Sequence, residues 1–319
     1  MKKKFLAGCT ATLMLLALLL SACGANPAET LPAETTQQTE ATQPTAPAVT
    51  WKTFPADRAP TAAQYFAYDL TAEAYLESSG VGTTRVYPAS ITKLFTAYTA
   101  LVYLSADQVV TVDEAIEKAV SGSSVAGLQL GATVTVEQLI AAMLLPSGND
   151  AAYVLAAEAG RAIAADPELS INQAVKRFVW CMNGLAKMEG MTGTHFVNPD
   201  GIHSEDHYST FDDLVTMAKL TLEEPVIRRY AACSEMTLDQ GTEEPLQWHN
   251  TNLLIDPTSE YYCPYTIGMK TGQTPSAGSC LLSAFQWGDT TLIVGVFGCP
   301  DEFSRFDDSL QLFNRSLGE

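Results

Sequence analysis

The sequence predicts an α/β protein of the α+β kind, with an antiparallel sheet flanked by helices and a helical lobe beside it. Three observations carry this. Strand-like runs sit near both ends of the chain, at Gln64–Asp69 with Ala74–Glu77 and at Gly268–Lys270, Cys280–Phe285 and Thr291–Val296. The middle, from Ser90 to about Leu222, is dominated by helical periodicity. A final helix-like stretch runs from Asp301 to Leu317. Terminal strands in one sheet, with helices between them packed on it, leave a cleft between sheet and helical lobe as the natural site. At 319 residues and 47% hydrophobic content the chain can bury a sizeable core.

Gln64–Asp69 and Ala74–Glu77 read as a hairpin across Leu70–Glu73. Pro88 then opens a helix running to about Leu104, since proline lacks only an N–H that would have had no intrahelical partner. Ile91, Leu94, Phe95, Tyr98, Leu101 and Val102 cover most of its surface, so burial nearly all round is expected. Gln108–Val112 is a short strand, and Val120–Leu130, with its Ser-Gly-Ser-Ser cluster, is loop-like. Val136–Leu145 is amphipathic and helical until Pro146-Ser147-Gly148-Asn149 breaks it. Asp150–Ile163 follows, with Asn149 or Asp150 as the expected cap. Ile171–Met188 is a further helix, and Thr210 or Asp212 heads another to about Leu222.

Ahead of all this, Met1-Lys2-Lys3-Lys4, the apolar run Phe5–Leu20 and Leu20-Ser21-Ala22-Cys23 have the layout of a secretion signal. The apolar run is shorter than the roughly 20 residues a spanning helix needs. The formal charge is −18; losing the leader would leave 15 basic against 36 acidic residues. That balance argues against nucleic acid and against electrostatic docking on anionic lipid. Gly24–Thr50 is rich in Thr, Ala, Pro, Glu and Gln, with little to bury, and reads as a disordered tether. As a flexible coil it would span about 30 Å, and at most ~80 Å if drawn out. The division expected is therefore 1–22 signal peptide, 23–50 tether and 51–319 globular domain. Beyond Cys9 and Cys23, the five cysteines have no CxxC pair and an odd count, so mostly buried thiols are expected.

Ser90 and Lys93 break the apolar character of the first helix. Three residues apart, they share one face. A buried lysine beside a serine at a helix N-terminus is costly as architecture and sensible as chemistry. Desolvation and the positive end of the helix both favour a neutral amine, which can accept the serine's proton. A Ser-x-x-Lys match alone is expected about once in a chain this long. Here it is followed in order by Ser147-Gly148-Asn149 and Lys270-Thr271-Gly272, a trio shared by penicillin-binding proteins and class A β-lactamases.

Several further stretches carry the same pattern. Thr192–Ile202, His207–Thr210, Ser147–Ala152, Asn250–Leu254, Lys270–Thr274 and Ala277–Leu281 resemble the serine-type D-alanyl-D-alanine carboxypeptidases, peptidase family S11. The similarity runs from about Ala62 to the C-terminus. It implies a β-lactamase/transpeptidase-like fold and a cell-wall hydrolase acting on peptidoglycan stem peptides ending in D-Ala-D-Ala, with β-lactams as covalent inhibitors and no cofactor or metal. Wall endopeptidase, transpeptidase, β-lactamase and a non-catalytic wall-binding lipoprotein are the alternatives.

By this resemblance Ser90 is the nucleophile and Lys93 the base for acylation. Ser147 would relay the proton to the leaving amine, while Asn149 would hold Lys93 and a substrate amide. Lys270 and Thr271 would meet the substrate carboxylate, and Gly272 would let the strand backbone approach the substrate. The N–H groups of Ser90 and Gln273 would form the oxyanion hole, and Arg305 matches a carboxylate-binding arginine. Gln273 stands where an aromatic residue or histidine is frequent. Leu20–Cys23 resembles the lipobox of bacterial lipoproteins, so a lipid on Cys23 would anchor the protein outside the cytoplasm. That anchor would replace the C-terminal β-domain and membrane-binding tail of many relatives, which is expected to be absent.

Two patterns compete with these. His203 and His207 with His195 could be a metal site, although the family pattern accounts for them as loop residues. Glu168-Leu169-Ser170-Ile171-Asn172 mimics a β-lactamase deacylation motif. It lies only 21 residues after Ser147 and just past Pro167, and reads as helix-start chemistry.

Overall fold

The computed structural model describes residues 51–318 apart from Ala56, Thr242 and Glu243. The stretches expected to be a signal peptide (1–22) and, with Cys23, a tether (23–50) lie outside the described residues.

Alternating side chains build the central sheet. Strands β1 (Gln64–Asp69) and β2 (Ala74–Ser78) form the expected hairpin. The last three strands are β9 (Thr266–Thr274), β10 (Gly278–Trp287) and β11 (Thr290–Cys299), numbered in chain order with the shorter elements below. All five join antiparallel in the order β2-β1-β11-β10-β9, which leaves β9 at an edge. Successive residues of β10 and β11 point to opposite faces. Leu282 and Ile293 pack into the larger core with the helices, whereas Leu281 and Val294 pack into a smaller core on the other face. Helix α7 (Ser304–Ser316) closes that second face, with Phe313 stacked on Phe285 at 4.3 Å between ring centroids.

Between the two halves of the sheet the chain makes its helical lobe. A two-residue strand β3 (Arg85–Val86) and a tight turn at Ala89–Ile91 lead into α1 (Thr92–Tyr103). Then come β4 (Val109–Thr111) and β5 (Thr133–Thr135), which pair, and α2 (Val136–Leu144), α3 (Asn149–Ala164) and α4 (Ile171–Met188). After β6 (Ser209–Thr210), the partner of β3, follow α5 (Phe211–Glu223) and α6 (Pro225–Ala231). The β7–β8 hairpin (Glu235–Leu238, Leu246–His249) precedes the return to the sheet.

Most element expectations hold within a few residues, and three do not. Helix α1 is buried from Thr92 to Ala97, but its C-terminal turn emerges and Val102 is 52% exposed, so burial all round is confined to the first two turns. Helix α3 is capped by Gly148 rather than by Asn149 or Asp150. Asp150 is instead occupied by a loop upstream, since its carboxylate accepts from the backbone N–H groups of Ala126, Gly127 and Leu128. Asp301 does not begin α7 but caps it from outside, accepting from the N–H groups of Phe303 and Ser304. Helix α6 and the β7–β8 hairpin are additions to the expected elements; Glu224-Pro225 is a helix start and Gly241 lies between two alternating runs.

Candidate active site

Three walls enclose a cleft of about 350 Å³. Ser90 comes from the turn ahead of α1, Ser147 and Asn149 from the α2–α3 junction, and Thr271, Gly272 and Gln273 from edge strand β9; Arg305 lines it too. All three motifs therefore meet, although Ser90 and Lys270 are 180 residues apart.

The turn holding Ser90 is strained and packed from two sides. Ala89 has φ +48°, a conformation that costs on the order of 1–3 kcal/mol in a non-glycine residue and persists only where its surroundings impose it. Gly201 and Gly272 supply those surroundings. A Cβ on Gly201 would lie 1.9 Å from the Ala89 carbonyl oxygen, and one on Gly272 would lie 2.8 Å from that of Pro88 and 3.1 Å from the Ser90 nitrogen. Gly272 was expected to admit substrate. The structure shows a packing role as well, because it lets β9 press directly on the turn that carries Ser90.

Lys93 is fully buried. Its Nζ donates to Ser90 Oγ at 2.9 Å and to the Asp200 carbonyl at 2.8 Å. That carbonyl is delivered by a turn in which Asn198 Oδ1 accepts from Gly201 N and Asn198 Nδ2 donates to Ile202 O. Burial lowers the amine's pKa to about 8, with the carboxyl groups of Asp200 and Asp150 pulling the other way. The Asp200 carboxyl is itself raised by burial. The expectation that Asn149 holds Lys93 is not met. Among the described residues Asn149 Oδ1 is buried with no hydrogen-bond partner, while its backbone N–H donates to the Ser124 carbonyl.

On strand β9, Lys270 is equally buried. Its Nζ donates to the Thr271 carbonyl at 3.1 Å, to Thr271 Oγ1 at 3.3 Å and to Thr251 Oγ1 at 3.4 Å. Burial, then the charges of Lys93 and Arg305, push its pKa well below the ordinary lysine range. Arg305 is 6% exposed, with its Nη1 on the Gly272 carbonyl at 3.5 Å. It is a cleft residue, and its own pKa is lowered by burial. The side chain of Gln273 is exposed at the rim.

Reading the motifs alone missed several contributors. Thr251 shares a 2.6 Å hydroxyl contact with Thr271. Ser123 and Ser124 line the cleft from the loop read only as irregular. Asp200 and Gly201 form the support for the Ser90–Lys93 pair, and the sequence Asn198-Pro199-Asp200-Gly201 carried a legible turn signal. The competing patterns go elsewhere. His207 bonds Thr92 Oγ1 and Val197 N, His195 faces the Asp206 carbonyl and His203 faces Glu205. Glu168 is exposed ahead of α4 and does not line the cleft.

Comparison with known proteins places this geometry. A family model described as D-alanyl-D-alanine carboxypeptidase, Peptidase_S11, matches residues 53–301. A D-alanyl-D-alanine carboxypeptidase of Streptomyces sp. (strain K15) is 32% identical over 257 residues, covering 75% of this chain and 84% of that protein. The carboxypeptidases DacF of Bacillus subtilis, at 32%, and DacC of Escherichia coli, at 30%, match 69% and 74% of this chain. The chain covers only 53% and 56% of their lengths. Among solved structures, the Streptomyces K15 DD-transpeptidase superposes with a TM-score of 0.73 at 30% identity, covering 82% of this chain and 99% of that one. DacD from Francisella tularensis shares the fold, with a TM-score of 0.69 at 23% identity over 83% of this chain and 72% of that one.

Proposed function

The chain belongs to the D-alanyl-D-alanine carboxypeptidases of peptidase family S11, and on that premise we propose that it removes the terminal D-alanine from peptidoglycan stem peptides through an acyl-enzyme on Ser90. One observation carries the assignment of the nucleophile, the 2.9 Å bond between Ser90 Oγ and a fully buried Lys93 amine. Keeping an ordinary lysine neutral at pH 7 takes about 5 kcal/mol, whereas an amine titrating near 8 takes about 1.4 kcal/mol. The second figure is compatible with a working general base and the first is not.

In the first step the neutral Lys93 amine takes the Ser90 proton as Oγ attacks the carbonyl carbon between the two D-alanines. Ser90 N and Gln273 N receive the developing oxyanion, each such donor typically worth ~3 kcal/mol in the transition state. Ser147 relays the proton to the departing amine, and the C–N bond breaks. Lys270, Thr271 and Arg305 hold the leaving carboxylate, with Asn149 Oδ1 facing the peptide amide. Water then hydrolyses the ester. A β-lactam follows the first step, its ring amide opening on Ser90.

Intact-mass measurement after benzylpenicillin, followed over time, tests this reading. A stable penicilloyl adduct and release of D-alanine from a D-Ala-D-Ala peptide are expected, with both lost in Ser90→Ala; activity surviving in that variant overturns it. Rapid clearance of the adduct would mark a β-lactamase. Transfer of the acyl group to an amine acceptor is the second reading, favoured by the DD-transpeptidase activity named for the solved Streptomyces K15 relative. Product analysis on cross-linked muropeptides separates the two.

The substrate places the enzyme outside the cytoplasm. Among the described residues no helix is long and apolar enough to cross a membrane. The 1–22 signal, the 23–50 tether and a lipid on Cys23 complete the proposal, on the strength of the Leu20-Ser21-Ala22-Cys23 pattern. Cys23→Ala should release the protein from membranes, and unchanged partitioning would count against the anchor.

A further inference from the structure

We propose that Asp150 is a positioning residue for the reaction, acting through the segment 124–128 to hold the Ser147 turn in its reactive shape. The inference rests on the reading of Ser90 as the acylated nucleophile and extends it to residues outside the three motifs.

Ser147 has φ +62°, a region a serine does not favour, so its conformation must be imposed by what surrounds it. One bond comes from the helix behind it, where Gly148 N donates to the Ala142 carbonyl at 3.1 Å. The other restraints come from the loop over it. Ser124 Oγ donates to the Ser147 carbonyl at 2.8 Å, and the Ser124 carbonyl accepts from Asn149 N at 2.9 Å. Ser124 thus grips the turn on both sides of Gly148.

A loop can impose a conformation only if it is itself held. Asp150 holds this one. Its carboxylate, 4% exposed in the first turn of α3, accepts from Ala126 N at 2.8 Å, Gly127 N at 3.0 Å, Leu128 N at 3.2 Å and Ala151 N at 2.9 Å. Three successive N–H groups on one carboxylate fix both the path and the direction of the segment. Trp248 Nε1 donates to the Ala126 carbonyl at 2.8 Å, which secures the same residue from the other side. Space is tight at the junction, since a Cβ on Gly148 would lie 2.8 Å from both Asp150 Oδ1 and the Ala126 methyl. The carboxylate therefore reaches Ser147 by a continuous path: Asp150, the 126–128 amides, Ser124, then the Ser147 carbonyl.

Acylation by a fluorescent penicillin, timed on the full chain, tests the path in wild type, Ser124→Ala, Ser124→Thr, Asp150→Asn and the Ser124→Ala/Asp150→Asn double variant. Ser124→Ala should slow acylation about tenfold and Ser124→Thr, which keeps the hydroxyl, should restore it. Asp150→Asn presents an amide that cannot accept three N–H groups and should slow it at least as much. Because Asp150 acts through Ser124, the double variant should be no more than about threefold slower than Asp150→Asn alone. Single effects that multiply in the double variant would overturn the proposal, as would a Ser124→Ala variant that acylates at the wild-type rate. If Asp150→Asn does not fold, Asp150→Glu, which keeps the carboxylate but displaces it by one methylene, takes its place alone and combined with Ser124→Ala, and the same two outcomes decide. Failure of the underlying reading looks different, because wild type itself would then take no label on Ser90.

Discussion

Two lysines lie behind the cleft walls, one bonded to Ser90 and one to Thr271, alike in burial and opposite in electrostatic company. Lys93, on the helical wall, donates to a hydroxyl and a carbonyl and has the carboxyl groups of Asp200 and Asp150 within electrostatic reach. Those acidic groups offset part of the desolvation and leave the amine near 8, where it can cycle between proton acceptor and donor. Lys270, on the sheet wall, meets hydroxyls and a carbonyl, and the charges acting on it are those of Lys93 and Arg305. Burial and like charge both act to lower its pKa. Two equally buried lysines thus differ through the sign of the charges that act on them.

Removing each lysine in turn is the sharpest way to break this contrast. Lys93→Ala should lower the acylation rate on the order of 10³-fold, the loss of a general base, read as the rate of penicillin labelling. A loss under tenfold would mean that Lys93 is not the base. Lys270→Ala should cost less, about 10²-fold, and should do so selectively. A D-Ala-D-Ala peptide with a free carboxylate should suffer more than its C-terminal amide. Equal losses on the two would remove the carboxylate role.

The smallest effect is on pH dependence. Activity should rise as Lys93 loses its proton through about pH 8. Stability should rise as well, because between the folded value near 8 and the ordinary 10.5 the unfolded chain binds the extra proton. Across that window Lys93 contributes up to about 3 kcal/mol. Lys270 adds in the same direction, so Lys93→Met should flatten the increase in part rather than abolish it. Denaturant midpoints at pH 7, 8, 9 and 10 in both proteins measure the difference.

The two walls were not equally legible beforehand. Ser90 and Lys93 are three residues apart, a spacing that puts both on one face of a helical turn and can be read from the sequence. The Lys270-Thr271-Gly272 strand was recognisable, but its place opposite Ser90 depends on sheet order, with β9 left at the edge by pairing over 200 residues of sequence separation. The packing of Gly272 was illegible for the same reason: nothing local indicates that the surface pressing on it is the turn at Pro88–Ser90. Asn149 was assigned to Lys93 by resemblance, whereas the structure gives that place to the Asp200 carbonyl, 107 residues from the amine.

What the chain determined by itself is what depends on near neighbours: the strand and helix periodicities, the turn at Asn198–Gly201 and the spacing of serine and lysine. Hydrogen bonding and side-chain direction repeat over a few residues, so they can be read from a few residues. Tertiary structure alone decided how deeply Lys93 and Lys270 are desolvated, which charges they meet, and how a strained serine is held by an aspartate through a loop. Each of these is set by groups far apart in sequence, and solvent exclusion belongs to the packed whole rather than to any segment of it.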